Sequence, residues 1–300
     1  MACDSASCAL VTRGQGGLLA KGAFRTDISY RYTDESVPLE GSHTIAEVIR
    51  PKVFLELGEI LPGVHREIAG RESFLQVDFG YGVTSHTTLL ASVPLLADRS
   101  FTIAHFGTQA DYNTQSVGDI LVGAKQGLWR SLVGGLALKL PSGDSQRTGD
   151  YNGSILDPTL QPGSGSWDVV SSLQCSGRIT DWRLDWTLVG SYQINTTNTL
   201  GYRFGNLGLV AAGAQRNLIG PLSGSLQVKF VEEARSVFLG QGVPSTGSRT
   251  GYLNPGLSVR LPTQTAIYGV VQFVPFRYVN EEQLAPRIAF LFGVSKTFTR

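Results

Sequence analysis

The stretch 287-RIAFLFGVSKTF-298 alternates apolar or aromatic residues with small or polar ones. Successive side chains on a β-strand point to opposite faces, so this pattern makes one face apolar. The apolar positions are Ile288, Phe290, Phe292, Val294 and Phe298. The stretch has about 12 residues, whereas strands usually have about 5–6. Long alternating strands that end in an aromatic residue are typical of outer-membrane β-barrels.

The composition favours β-structure and argues against a nucleic-acid partner. The 300 residues include 36 glycines, and only 16% of the residues are charged. Soluble domains have about 25% charged residues. The net charge of +1 lacks the basic excess that nucleic acids attract. The sequence has no run of 18 apolar residues that could form a membrane helix, but a barrel needs only alternation because its strands satisfy one another's backbone groups.

The same alternation recurs along the chain and predicts about 12 strands. Polar connections are expected over 34–70 and 95–115. The segment VFLELGEIL in the first of these fits a strand extension, a short helix or part of a plug. The predicted strands cover about 22–33, 72–82, 84–94, 117–127, 131–141, 167–178, 182–193, 203–215, 224–232, 252–261, 265–277 and 287–298.

The connections predict the fold class. They are short after even-numbered strands and long after most odd-numbered ones, and aromatic residues gather near strand ends, as in a membrane interface belt. We therefore expect an all-β protein, a transmembrane antiparallel up-and-down β-barrel of about 12 strands in a bacterial outer membrane, with short periplasmic turns and long extracellular loops. Residues 22–300 would form the barrel, and 1–21 a periplasmic or plug segment. The alternative, a soluble β-sandwich, has shorter strands and no such alternation of loops.

Charged residues recur on the less apolar face of the predicted strands. An Arg or Lys that faced lipid at mid-depth would cost about 2–4 kcal/mol, so we expect this face to line the lumen. Some of these charges would pair across strands and brace the wall. Lys296 lies on the other face, near the chain end, where its ammonium can reach the interface. The predicted lumen-lining residues are Arg25, Asp27, Arg31, Asp78, Asp119, Lys125, Lys139, Asp168, Arg183, Asp185, Lys229, Arg260 and Arg287.

The cysteines and histidines carry the remaining chemical expectations. Cys3 and Cys8 are close enough for a local disulfide in an oxidising periplasm; free thiols, or ligands of a metal or redox partner, are the alternatives. The sequence has no Walker loop, HExxH or GxSxG motif. We therefore expect no enzymatic activity, no cofactor and no metal site. His86, expected on a strand face with Thr88 and Ser92, leaves an outer-membrane hydrolase as an alternative.

Three glycine-rich segments carry a family resemblance. They are GDILVGAKQGLW at 118–129, LALKLPSGD at 136–144 and GSGSWDVVSSL at 163–173. In these segments the chain resembles a family of bacterial outer-membrane proteins named for the meta pathway of phenol degradation. The resemblance implies a barrel and the uptake of small organic molecules.

These observations lead to three functional hypotheses. The first is a porin-like channel for passive passage of small solutes, because about 12 strands enclose a narrow lumen. Loop 141–166 or the N-terminal segment could fill that lumen, and its mixed charge predicts weak ion selectivity, slightly favouring anions. The second is a closed barrel that houses a periplasmic or electron-transfer partner near Cys3 and Cys8. The third is the hydrolase.

Overall fold

The chain folds as a closed antiparallel β-barrel of 12 strands. A computed structural model describes residues 17–105, 108–149 and 153–299. No helix within these ranges has the length and apolarity needed to cross a membrane. The barrel strands are β1 (Phe24–Glu40), β2 (Glu59–Gly82), β3 (Thr87–His105), β4 (Ile120–Trp129), β5 (Leu132–Leu140), β6 (Asp168–Ile179), β7 (Leu184–Ile194), β8 (Leu207–Ile219), β9 (Leu222–Glu233), β10 (Ser248–Leu261), β11 (Thr265–Val279) and β12 (Glu282–Phe298).

The first strand closes the sheet, because β1 pairs on one side with β12 and on the other with β2. Phe24 lies opposite Phe298 in one pairing and opposite Tyr81 in the other. Every barrel strand is thereby hydrogen-bonded on both sides, which satisfies its backbone groups without solvent. The predicted final strand is the C-terminal part of β12 and forms half of this closure.

The connections differ in length at the two ends of the barrel. At one end, called the turn end, they are residues 83–86, 130–131, 180–183, 220–221 and 262–264, and β1 begins and β12 ends there. At the opposite end, called the loop end, the connections include 41–58, 141–167, 195–206 and 234–247. The exception is the two-residue connection 280–281 between β11 and β12. The predicted alternation of short and long connections is confirmed.

The prediction of connections over 34–70 and 95–115 is wrong. β1 and β3 continue to Glu40 and His105, while short strands Val48–Phe54 and Thr108–Ser116 pair with β2 and β3. Of the three interpretations of VFLELGEIL, strand extension is the one observed, around a turn at 55–58. β-Bulges interrupt the pairing of β1 and β2 with their neighbours, and each one shifts the two-residue period of the side chains. The regular alternation therefore disappears although the strands continue.

The two faces of the barrel wall differ in composition. On β1, Phe24, Ile28 and Tyr30 are exposed on the outer face, whereas Asp27 and Ser29 are buried on the inner face. Trp129 and Trp182 are exposed at the turn end, and Trp167 at the loop end. Apolar side chains outside, with polar side chains inside, are the arrangement that a barrel in lipid requires.

Candidate functional site

The barrel interior gathers most of the charged residues that alternation assigned to it. Two of the thirteen, Arg25 and Arg31, are half-buried. Whether any of them lines a conducting path stays a prediction, because burial alone does not identify a route for solute. The buried members of the set are Asp27, Asp78, Asp119, Lys125, Lys139, Asp168 and Lys229.

Four of the predicted lumen residues are exposed. Arg183 lies in the turn 180–183 with a φ of 48°. Asp185, at the beginning of β7, has a carboxylate oxygen 3.7 Å from Arg178 Nε. Arg260 lies near the end of β10. Arg287 pairs with Asp34, with 2.6 Å between nitrogen and oxygen. All except Arg287 lie near the turn end, where solvent reaches the wall.

A lysine between two carboxylates joins three strands to the loop end. Lys139 Nζ on β5 forms an ion pair with Asp168 on β6 and lies 3.1 Å from Asp119 Oδ2, just before β4. Asp119 also accepts hydrogen bonds from the backbone of Gly143, at 3.0 Å, and of Ser164, at 2.9 Å. A buried charge is tolerated when it is paired and its remaining hydrogen-bonding positions are filled. This lysine–carboxylate node therefore ties the wall to both ends of the β5–β6 connection.

The β5–β6 connection, residues 141–167, packs against the inner face of the barrel. Its residues 156–163 are buried without interruption. Leu156 and Leu160 pack on Phe101 and Ile103, which lie on the buried face of β3. The sequence analysis offered residues 141–166, or the N-terminal segment, as a filler of the lumen, and whether either one fills it stays a prediction. The β5–β6 connection is called the inner loop below.

The side chain of Arg99 binds backbone carbonyl groups of the inner loop. One guanidinium nitrogen donates to Thr159 O at 3.2 Å and to Gln161 O at 2.5 Å, while Nε lies 3.3 Å from Glu72 Oε1 on β2. Thr114 Oγ1 donates to Leu160 O at 2.6 Å. Charged donors to carbonyl oxygens are among the stronger hydrogen bonds. The loop is thus fixed to the wall by polar as well as apolar contacts.

The other connections at the loop end converge on the same region. Val53, Leu55, Tyr202, Phe238 and Val243 form one buried cluster, against which Ile155 of the inner loop packs. These residues come from the 41–58, 195–206 and 234–247 connections. One apolar cluster therefore joins these three connections to the inner loop.

Charges at the edge of this cluster are paired. Arg50 donates to Glu67 Oε1 at 2.6 Å. Burial alone would lower the pKa of Arg50, but Glu67 and then Asp157 outweigh it and raise that pKa. Burial, and next the charge of Asp157, raise the pKa of the Tyr202 hydroxyl. Arg50 stays a cation and Tyr202 stays neutral near neutral pH.

Leu19 and Ala20, near the beginning of the described residues, lie against the wall near the turn end. The Leu19 backbone N–H donates to Thr88 Oγ1 at 2.9 Å, and Thr88 is fully buried. A Cβ on Gly82 would lie 2.1 Å from Ala20 O, so only glycine allows this approach. The predicted boundary between a segment 1–21 and a barrel 22–300 stays a prediction.

One side of the interior is apolar and carries a cavity. Val189, Leu209, Ala211, Val231 and Val274, from β7 to β11, belong to one buried cluster. A cavity of about 100 Å³ adjoins it, lined by small, apolar and amide side chains and also by Asp185 and Tyr268. This side therefore offers a mostly apolar surface to a solute, with the Asp185 carboxylate at the cavity and the ammonium group of Lys229 over the ring of Tyr252.

The remaining candidate residues that the structure describes form no second site. His86 lies in the turn 83–86 rather than on a strand, is exposed, and has Nδ1 2.8 Å from Ser85 Oγ. It therefore does not share a strand face with Thr88 and Ser92. Among the described residues, no group of three or more His, Cys, Asp or Glu could hold a metal ion. Cys3 and Cys8 lie outside the described residues.

Comparisons with known proteins concern the fold. No protein-family model matches the sequence, and no curated protein matches it. An outer membrane channel from Pseudomonas putida F1 aligns over 96% of this chain and 100% of its own, with 13% identity and a TM-score of 0.63. The likeness is one of fold. The β domain of the Bordetella autotransporter BrkA aligns over 93% and 100%, with 9% identity and a TM-score of 0.49. Because no family model matches, the resemblance to the meta-pathway family stays a prediction.

Several interior residues were missed by the sequence reasoning. Arg99 belongs to a range that was interpreted as a loop, and Glu72 is the first residue of a predicted strand but was not assigned to either of its faces. Asn254 was assigned to the polar face of its strand but not named as a site residue, because a charge was the signal sought. An uncharged amide at an inward position is the signal that could have identified it.

Proposed function

We infer that the chain is an outer-membrane channel for passive passage of small, uncharged organic solutes. The observation that carries this proposal is a closed 12-strand barrel with an apolar outer face and an interior that has one mostly apolar, cavity-bearing side. The printed name of the CymD structure describes a monoaromatic hydrocarbon channel, which fits this class of solute but has a TM-score of only 0.48. The proposal therefore rests on the interior itself.

The interior also suggests which solutes would pass. Two cations on the wall, Lys139 and Arg99, are paired with buried carboxylates. A charged solute would have to replace a paired, buried charge, which costs several kcal/mol. A small neutral molecule meets the apolar cluster without that cost. The inner loop limits its size.

A planar-bilayer and liposome experiment tests the channel. The refolded protein is expected to give small, discrete current steps, and liposomes that contain it should take up furan faster than protein-free liposomes. Protein that is shown to be inserted, yet neither conducts nor accelerates uptake of a small solute, would contradict the proposal.

A lipid-facing substitution tests the membrane assignment. Val210 on β8 is 57% exposed on the outer face, and Val210→Lys is expected to lower the free energy of unfolding in lipid vesicles by about 2–4 kcal/mol. Ile219 at the turn end of the same strand is the matched control, because Ile219→Lys should cost about 0–1 kcal/mol near the interface. Denaturant titration measures both values. Equal costs at the two positions would argue against a bilayer around the barrel.

The two other hypotheses have no supporting observation among the described residues. A partner sleeve depends on Cys3 and Cys8, about which the structure says nothing. A hydrolase depends on His86, whose imidazole is exposed in a turn outside the interior. If His86→Ala protein takes up solute as fast as the wild type does, passage through the barrel does not depend on the residue that a hydrolase would need.

A further inference from the structure

Lys229 is a buried cation that pairs with no carboxylate among the described residues. It lies on the inner face of β9 and is 2% exposed. Its ammonium lies 4.0 Å from the ring centroid of Tyr252, directly opposite on β10, and makes neither a hydrogen bond nor an ion pair within the described part of the chain. One aromatic ring attracts a cation, but it cannot accept hydrogen bonds from all three N–H groups of the ammonium. A buried charge in this position is costly unless an anion compensates it.

Lys229 lines a cavity of about 40 Å³ in the barrel interior. The other lining side chains that can donate hydrogen bonds include Arg31 on β1, Thr250 on β10 and Gln272 on β11. A cavity needs about 10–15 Å³ to hold one water molecule. The space therefore admits a single-atom ion with one or two waters, whereas most organic ions are too large for it.

The charges around this cavity leave one positive charge uncompensated. Two carboxylates, Glu35 and Glu72, line the cavity beside Arg31 and Lys229. Glu72 lies 3.3 Å from Arg99 on β3, which is outside the lining, so these two charges compensate each other. Of the remaining charges, those of Arg31 and Glu35 cancel, and that of Lys229 does not. The charge that acts on Lys229 most strongly is that of Arg31, which repels it, so both cations would attract an anion held beside Lys229.

We propose that this cavity binds a small monovalent anion of the size of chloride, which accepts hydrogen bonds from Lys229 and neutralises its charge. The site goes beyond the proposed channel function and does not depend on it. The two are compatible, because a bound anion leaves this part of the interior without net charge for an uncharged solute to pass. Binding is linked to stability, because an anion that binds only the folded barrel shifts the folding equilibrium towards it.

Denaturant titration of the refolded full chain in an uncharged detergent tests the site. Chloride is varied against gluconate at constant ionic strength, since gluconate is an organic anion too large for the cavity. We expect the unfolding midpoint of wild type to rise with chloride. Once chloride exceeds its dissociation constant, each tenfold increase should raise the ratio of folded to unfolded protein about tenfold. Lys229→Met, which removes the charge and keeps most of the apolar stem, should abolish this dependence.

Lys125→Met is the matched control, because Lys125 is another buried lysine on the inner face, on β4, and lies outside this cavity. It should retain the full chloride dependence. Lys229→Gln also removes the charge and provides a second test if the methionine variant does not refold. A wild-type midpoint that is equal in chloride and in gluconate, or a chloride dependence that survives both Lys229 variants, would overturn the inference.

Liposome uptake keeps the anion site and the channel distinguishable. A chloride dependence that requires Lys229, in protein that takes up no solute, keeps the anion site and removes the channel. Solute uptake by protein whose stability does not depend on chloride keeps the channel and removes the anion site.

Discussion

Excision of residues 145–162 is expected to raise the single-channel conductance several-fold. These residues include the part of the inner loop that packs on Phe101 and Ile103, so their removal opens the interior near the loop end. The ends of the excised segment are adjacent, because the Gly163 N–H donates to Asp144 O at 2.8 Å. A two-glycine linker can therefore close the gap without moving β5 or β6.

The excision leaves the lysine–carboxylate node intact, since Asp119, Lys139, Ser164 and Asp168 all lie outside it. Leu160→Asp is a milder companion variant. It places a charge against Phe101 and Ile103, so the loop should detach part of the time and the current should switch between two levels. Planar-bilayer recording measures both effects. Unchanged conductance in an excised barrel that migrates as folded protein would show that the inner loop does not obstruct the path.

The barrel could be predicted from the sequence because each strand separates lipid from the interior, so its side chains alternate between apolar and polar. β7 shows why: Leu188 and Tyr192 face outward, Val189 faces inward, and no bulge interrupts the pairing of β7 with β6 or β8. The extended parts of β1 and β2 were missed because bulges at Glu35 and Glu67 change the phase of the alternation. Alternation along the sequence identifies a strand only where no bulge shifts the side chains from one face to the other.

The candidate site was less predictable, because its contacts join distant parts of the chain. Lys139 was assigned to the interior because of its place in the alternation of its strand. Its pairing with Asp119 and Asp168, however, depends on which strands become neighbours. The hydrogen bond from the Asn254 side chain to Gln227 Oε1 likewise depends on β9 and β10 becoming neighbours. Neither is encoded in the spacing of residues along one strand.

Lys139→Met is expected to lower the free energy of unfolding by about 3–5 kcal/mol, the usual cost of removing one partner of a buried ion pair. Methionine preserves the apolar stem of the side chain but leaves Asp119 and Asp168, both buried, without their cation. Their carboxylates then repel each other in a medium that screens them poorly. Denaturant titration of the refolded protein in lipid vesicles measures the loss.

The exposed pair Arg178–Asp185 is the matched control, because its side chains are 59% and 60% exposed. Arg178→Ala should change the free energy of unfolding by only about 0–1 kcal/mol. Adding Asp168→Asn to Lys139→Met should cost less than the sum of the two single changes, because the second substitution removes a charge that the first left unpaired. Strict additivity, or a loss for Lys139→Met no larger than that for Arg178→Ala, would mean that the node does not brace the wall and that the inner loop is held by its apolar contacts and Arg99 instead.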